Sequence, residues 1–262
     1  MRANLLRTQW EEDRAVVNGW LVIPSSFTAE VLAHQGFDSL TVDMQHGLMG
    51  YETAVAMLQS ISSTATVPIV RVPWNEPGAI MRMCDAGAYA IICPMVNTRA
   101  QCEAFVGACR YPPLGYRSYG PVRARVYAGG DYVAEANSTL VTFAMIETAE
   151  AVANLDEILS VPGLDAIYVG PADLSQSLGR TQRTDYTDPD LLAVLDTILA
   201  ACRHHNIVAG IHCASSTWAE HAVELGFRFV TLNSDLAYLE SNAAHALEVF
   251  RDTTVSHGGG PY

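Results

Sequence analysis

Glu147 and Asp173 each stand where an apolar run gives way to a loop, in Phe143-Ala144-Met145-Ile146-Glu147-Thr148 and Tyr168-Val169-Gly170-Pro171-Ala172-Asp173. A buried strand has no use for an acid at its tip unless the tip faces a site. If the two strands are neighbours in a parallel sheet, both carboxylates enter one bowl. Two hard oxygen ligands with open positions beside them suit a divalent cation such as Mg²⁺ or Mn²⁺. Three more groups stand at or near apolar run ends: His46 after Thr41-Val42-Asp43, Arg71 within Val67-Pro68-Ile69-Val70-Arg71, and Asp85 on the helix expected after Arg71. Histidine moves protons near neutral pH, and a neighbouring acid fixes its tautomer and raises its basicity. Each group also has a structural alternative. Arg71 could pair with Asp43, Glu147 and Asp173 could cap the helices that follow them, and His46 could be a surface residue. Their coincidence at one rim argues for a site.

The elements that would bring them together read clearly. Short apolar runs at 19–23, 38–43, 67–72, 89–93, 140–146, 165–169, 207–211 and 228–232 predict strands. Segments such as 51–62, 98–110, 148–159 and 189–205 carry apolar residues at helical spacing, and glycines at 36, 87 and 226 predict helix ends. Strands apolar on both faces and separated by helices imply a covered parallel sheet. Eight such units predict a (β/α)₈ barrel over 1–255 as one domain, with a flexible tail at 256–262. An open doubly wound sheet is the alternative, but no Gly-x-Gly-x-x-Gly turn follows the first strand. Residues 111–137, with Arg117, Arg123 and Arg125, predict a long functional connection on the active face, or else a mobile flap. The segment 235–251 predicts a helix with a Leu/Ala/Phe face, either the eighth barrel helix or a subunit contact.

Composition removes several classes of function. All fifteen basic residues among the 262 are arginine. Without lysine, neither Schiff-base aldol chemistry nor pyridoxal-phosphate chemistry has its amine. The net charge of −13 disfavours nucleic acid and anionic membrane as partners. No apolar run is long enough to span a bilayer, and the start lacks the apolar core of a secretory signal. Six cysteines without a Cys-x-x-Cys pair predict reduced thiols and a cytoplasmic location.

Five blocks occur in order: Asp43-x-Gln45-His46-Gly47, Val70-Arg71-Val72-Pro73-Trp74-Asn75, Arg110-Tyr111-Pro112-Pro113-x-Gly115-x-Arg117, Ile146-Glu147-Thr148, and Val169-Gly170-Pro171-Ala172-Asp173-Leu174-Ser175. Together they resemble the HpcH/HpaI family of metal-dependent class II pyruvate aldolases, and the last block is the most distinctive. The resemblance implies a (β/α)₈ barrel assembled as a hexamer, a trimer of dimers that exchange their last helix. It implies a divalent ion, Mg²⁺, Mn²⁺ or Co²⁺, on Glu147 and Asp173. Arg71 would bind the 2-keto oxygen, and His46, coupled to Asp85, would be the base.

The reaction expected is making or breaking the bond between the enolate of a 2-oxo acid, pyruvate or hydroxypyruvate, and an aldehyde. The ion would take the place of the missing lysine as electron sink. The donor carboxylate could lie on the backbone N–H groups of Ala172 and Asp173. Trp20, His212 and Arg123, with Arg117 and Val122, are candidates for the aldehyde side, Arg123 for a distal carboxylate. Two departures from the family stand next to the site: Gln45, where many relatives have Glu, and Met145, where some have Gln. An acyl-CoA lyase of the citrate-lyase or malyl-CoA-lyase type and a non-catalytic barrel that binds 2-oxo acids are the alternatives.

Overall fold

The computed structural model describes residues 1–181 and 183–256. All eight expected strands form: β1 (Val16–Leu21), β2 (Ser39–Asp43), β3 (Val67–Arg71), β4 (Ala90–Cys93), β5 (Val141–Ile146), β6 (Ala166–Val169), β7 (Val208–Cys213) and β8 (Phe229–Ser234). They pair in sequence order, and β1 with β8, into a closed parallel barrel. Of the expected tail at 256–262, all but Ser256 lies outside the described residues.

Local chemistry sets the helix limits. Thr98 and Gln101 form a reciprocal capping box at the start of Arg99–Cys109, and Asp188 caps Pro189–His205. Gly36 and Gly87 adopt the positive φ that ends a helix and turns the chain toward the next strand. The expected helix at 148–159 is two short ones, Ala149–Ala153 and Leu155–Leu159, broken at Asn154.

The strands depart from the expectation of apolar residues on both faces. Alternate residues face the barrel axis, and the inner positions include the buried polar residues Asn18, Ser39, Thr41, Asp43, Arg71 and Thr231. This inner column is what carries the site.

Two further expectations are corrected. The segment 111–137 holds the helix Val122–Ala128 and most of Tyr132–Thr139, and it follows the helix Arg99–Cys109, not β4 itself. A helix between parallel strands runs back antiparallel to them, so this connection lies at the N-terminal end of the barrel. There Asn137 bonds the backbone of Tyr111, while Arg110 reaches Leu140 and Asp165, just ahead of β5 and β6. Nor does the last helix, Asp235–Ser256, lie along the barrel. Asp235 is buried and accepts from the N–H groups of Val22 and Ile23, but every side chain from Leu239 to Phe250 is exposed.

Candidate active site

The C-terminal ends of the strands open into a cavity of about 410 Å³ whose wall includes His46, Arg71, Met145, Asp173 and His212. A cleft of about 490 Å³ between Tyr119 and Gly130 is larger, but it lies among the connections of the opposite end and its lining holds no carboxylate.

Glu147 follows β5 directly and is 2% exposed. It does not cap the next helix; the hydroxyl of Thr148 does that, accepting from Ala151 N–H at 3.0 Å. One oxygen of Glu147 accepts from Met95 N–H at 2.7 Å. The other is pressed toward the backbone at Gly170, where an added Cβ would stand 2.8 Å from Oε2. Burial pushes the Glu147 carboxyl above its ordinary pKa, and the charge of Asp173 pushes the same way, against the Met95 hydrogen bond and the more distant Arg71. Asp173 lies in the first turn of Pro171–Ser177, where the N-cap is Gly170 and makes no side-chain bond, so Asp173 is not a cap either. Glu147 Oε2 and the Asp173 carboxylate have no hydrogen-bond donor among the described residues.

This pair fits a divalent ion. A buried carboxylate that resists ionisation, set beside a second acid, lacks the positive charge that an ion would supply. Hard oxygen donors match Mg²⁺ or Mn²⁺. Among the described residues no group of three or more His, Cys, Asp or Glu could hold a metal, so the remaining positions would fall to substrate and water.

Arg71 ends β3 directly opposite Asp43 in the β2–β3 register. Its Nε donates to Asp43 Oδ1 at 2.8 Å and its Nη2 to Oδ2 at 2.6 Å, a two-pronged clamp on a buried acid. Burial alone would raise the Asp43 carboxyl. The Arg71 bonds and charge, with the N–H groups of Gln45 and His46, outweigh it and hold the group below its ordinary value. The clamp leaves Nη1 facing the Met145 sulfur at 3.9 Å. Trp20 donates to Asp43 Oδ2 at 3.2 Å and lies under the guanidinium, 4.8 Å from ring centre to Cζ. The pairing of Arg71 with Asp43 therefore exists, but it aims Arg71 and does not remove it from the site.

A family model described as HpcH/HpaI aldolase/citrate lyase matches residues 19–241. The chain belongs to the HpcH/HpaI family. It is 40% identical over 244 residues to a hydroxypyruvate/pyruvate aldolase of Rhizorhabdus wittichii, covering 93% of this chain and 97% of that one. It is 34% identical over 247 residues to a 4-hydroxy-2-oxo-heptane-1,7-dioate aldolase of Escherichia coli, covering 93% of each. A crystal structure of an HpcH/HpaI aldolase/citrate lyase family protein from Burkholderia cenocepacia superposes with a TM-score of 0.88 at 30% identity, over 95% of this chain and 99% of that one. The chain is thus a carbon–carbon lyase of the class II aldolase type.

Within this HpcH/HpaI chain, four expected site residues fall elsewhere: Asp85 and Arg123, and with them Arg117 and Val122. Asp85 is the last residue of the helix Pro77–Asp85, which carries the chain from the mouth back to the opposite end. There it pairs with the buried Arg117 at 2.6 Å and not with His46. Arg123 is also at that end. It donates to Ala86 O at 2.5 Å, Leu58 O at 3.2 Å and Ser62 Oγ at 2.9 Å, tying two helix ends together. None of the four reaches the cavity of its own chain. His46 is exposed on the turn after β2 and lines the cavity.

Two groups absent from the expected set complete the mouth. Tyr168 stacks on Trp20 at 5.6 Å between centroids, and its hydroxyl lies 3.0 Å from His212 Nδ1 and 2.7 Å from Thr231 Oγ1. Asp43 was legible only as a rival partner for Arg71. The signal for Asp43 was the alternation Ser39/Thr41/Asp43 inside an otherwise apolar strand.

Proposed function

We propose that the protein is a divalent-metal-dependent aldolase that makes or cleaves the bond between a 2-oxo acid, pyruvate or hydroxypyruvate, and an aldehyde. The observation that carries this reading is the buried Glu147 carboxylate, raised in pKa by burial and by Asp173, with Arg71 held at the same mouth. A bound ion on Glu147 and Asp173 would act as Lewis acid toward the donor's keto and carboxylate oxygens.

The chain's own residues account for the rest. In the cleavage direction the aldol hydroxyl loses its proton, the aldehyde carbonyl forms, and the electron pair of the broken bond moves toward the donor's keto oxygen. Arg71 Nη1, whose only hydrogen-bond partner among the described residues is the weak Met145 sulfur, donates to that oxygen as its charge grows. The Asp43 clamp keeps the guanidinium aimed before substrate arrives. His46, on the same cavity wall, takes the hydroxyl proton, without help from Asp85 of its own chain. The N–H groups of Ala172 and Asp173, at the start of Pro171–Ser177, receive the donor carboxylate, while Pro171 has none to offer. Trp20 and His212 line the acceptor side.

The test is exchange of the pyruvate methyl protons with D₂O, followed by proton NMR. Exchange that needs a divalent ion and stops with EDTA is expected. Absence of exchange with every ion tried, Mg²⁺, Mn²⁺ and Co²⁺ included, would sink the reading.

The same proposal makes the protein a homo-oligomer, a hexamer built as a trimer of dimers with exchanged last helices. In support, Leu239 and Leu247 stand 61% and 54% exposed on a helix that leaves its own barrel. Light scattering should report a mass several times 28.3 kDa, and a chain ending at residue 238 should report a smaller assembly; a monomeric full-length protein contradicts the assembly. Six free, buried thiols support the cytoplasm as its location, and no described helix is long and apolar enough to cross a membrane.

A further inference from the structure

A file of hydrogen bonds runs through the barrel interior to the cavity. Ser39 and Thr41 hydroxyls donate to Asn18 Oδ1 at 2.9 and 3.0 Å, and Asn18 Nδ2 donates to Thr231 Oγ1 at 3.0 Å. Thr231 meets the Tyr168 hydroxyl at 2.7 Å, and Tyr168 meets His212 Nδ1 at 3.0 Å. Asn18, Ser39, Thr41 and Thr231 are each fully buried, and Tyr168 is 1% exposed.

Counting protons gives the file a direction. At 2.7 Å either hydroxyl of the Tyr168–Thr231 pair can be the donor. If Tyr168 donated, Thr231 would accept twice and its own buried proton would have no acceptor, since its other bond comes from Asn18 Nδ2. Buried protons left unpaired are costly. The arrangement that satisfies every group has Thr231 donating to Tyr168 and Tyr168 donating to His212 Nδ1. The imidazole proton then sits on Nε2, the ring nitrogen for which no described residue is a partner.

The ring also stays neutral. Burial, with the charge of Arg71, lowers the His212 pKa to about 4. Thr184 and Ser234 stand on the same cavity wall, which Arg71 and Asp173 also line. Arg123, expected on a distal carboxylate, lies at the other end of the barrel.

We propose that His212 presents a fixed Nε2–H donor to the acceptor aldehyde and selects an aldehyde bearing a hydroxyl beside its carbonyl over an unsubstituted one. The proposal rests on the aldolase reading above and names the substrate class that site takes. The donor Nε2–H meets the lone pair of the hydroxyl oxygen, and an aldehyde without it leaves the N–H unpaired in a confined site.

Glycolaldehyde and propanal have the same number of heavy atoms and differ in this one oxygen. With pyruvate as donor, the ratio of their kcat/KM values is to be measured in the parent and in two variants. Asn places its amide where His has Nδ1, whereas Gln reaches the position of Nε2. His212→Asn is expected to lower the glycolaldehyde-to-propanal ratio about 10-fold, the size of one lost hydrogen bond in a closed site, while His212→Gln keeps most of it. Nitrogen-15 NMR of the parent should show His212 protonated on Nε2 with Nδ1 bare. An unchanged ratio in His212→Asn, equal loss in both variants, or a proton on Nδ1 would overturn the proposal. Metal-dependent exchange of pyruvate protons, run on the same samples, separates the two levels. Normal exchange with an unchanged ratio removes only the role of His212, while no exchange in the parent removes the aldolase reading beneath it.

Discussion

Glu147→Gln is expected to abolish metal-dependent aldol cleavage and, at neutral pH, to leave the metal-free protein as stable as the parent or more so. The two effects share one cause. The glutamine amide oxygen can still accept from Met95 N–H, so the local fold persists, but the anionic ligand is gone. Several kcal/mol of transition-state stabilisation from the Lewis acid convert to a loss of about 10³-fold or more. For stability the sign runs the other way. The folded pKa of Glu147 lies above its ordinary value of 4.5, chiefly through burial. Its contribution to stability is therefore fully present below the unfolded pKa and is lost as pH rises through the folded one. A neutral amide removes that cost at pH 7.

In the parent, a divalent ion near a hundred times its Kd should stabilise by about 2.7 kcal/mol, or about 5–10 °C in Tm. That increment should shrink as pH falls through the raised pKa, because protons compete with the ion for the carboxylate. Scanning calorimetry with and without Mn²⁺ across pH reads both behaviours. A Glu147→Gln protein that kept the metal-induced shift would show that the ion binds elsewhere.

His46→Ala should lower kcat for aldol cleavage by about 10²–10⁴-fold, the usual worth of a positioned base. Metal binding should persist, since His46 bonds neither Glu147 nor Asp173. The calorimetric shift with Mn²⁺ therefore separates this variant from Glu147→Gln: both lose turnover, and only one loses the ion. Near-normal turnover in His46→Ala would assign the proton to another group. Asp85→Ala is a poor test of the same base, because removing Asp85 strands the fully buried Arg117 and destabilises the fold for unrelated reasons.

The blocks around Arg71, Glu147 and Asp173 were legible because strand ends are visible in a single chain. An apolar run stops, a polar residue stands at the stop, and a parallel barrel puts every such stop at one mouth. The distance of Asp85 and Arg123 from the mouth of their own barrel has the same source. Both are near strands in sequence, but each lies on the return path after a helix, which ends at the opposite mouth. Counting helices between a residue and its strand would have placed them there. Met145 shows a subtler limit: its departure from the family was visible, but not that its sulfur would be the weak partner leaving Arg71 Nη1 available.

The sequence by itself determined the barrel, the exclusion of lysine chemistry and the two carboxylates at adjacent strand tips, because periodicity and composition are properties of each element alone. Tertiary structure decided the partners: Asp43 under Arg71, Arg117 on Asp85, and the file from Asn18 to His212. Those pairings join residues far apart in the chain and depend on the stagger of a closed sheet. Only closure fixes which inward side chains meet at one level, and only a full count of donors and acceptors at that level fixes where a proton sits.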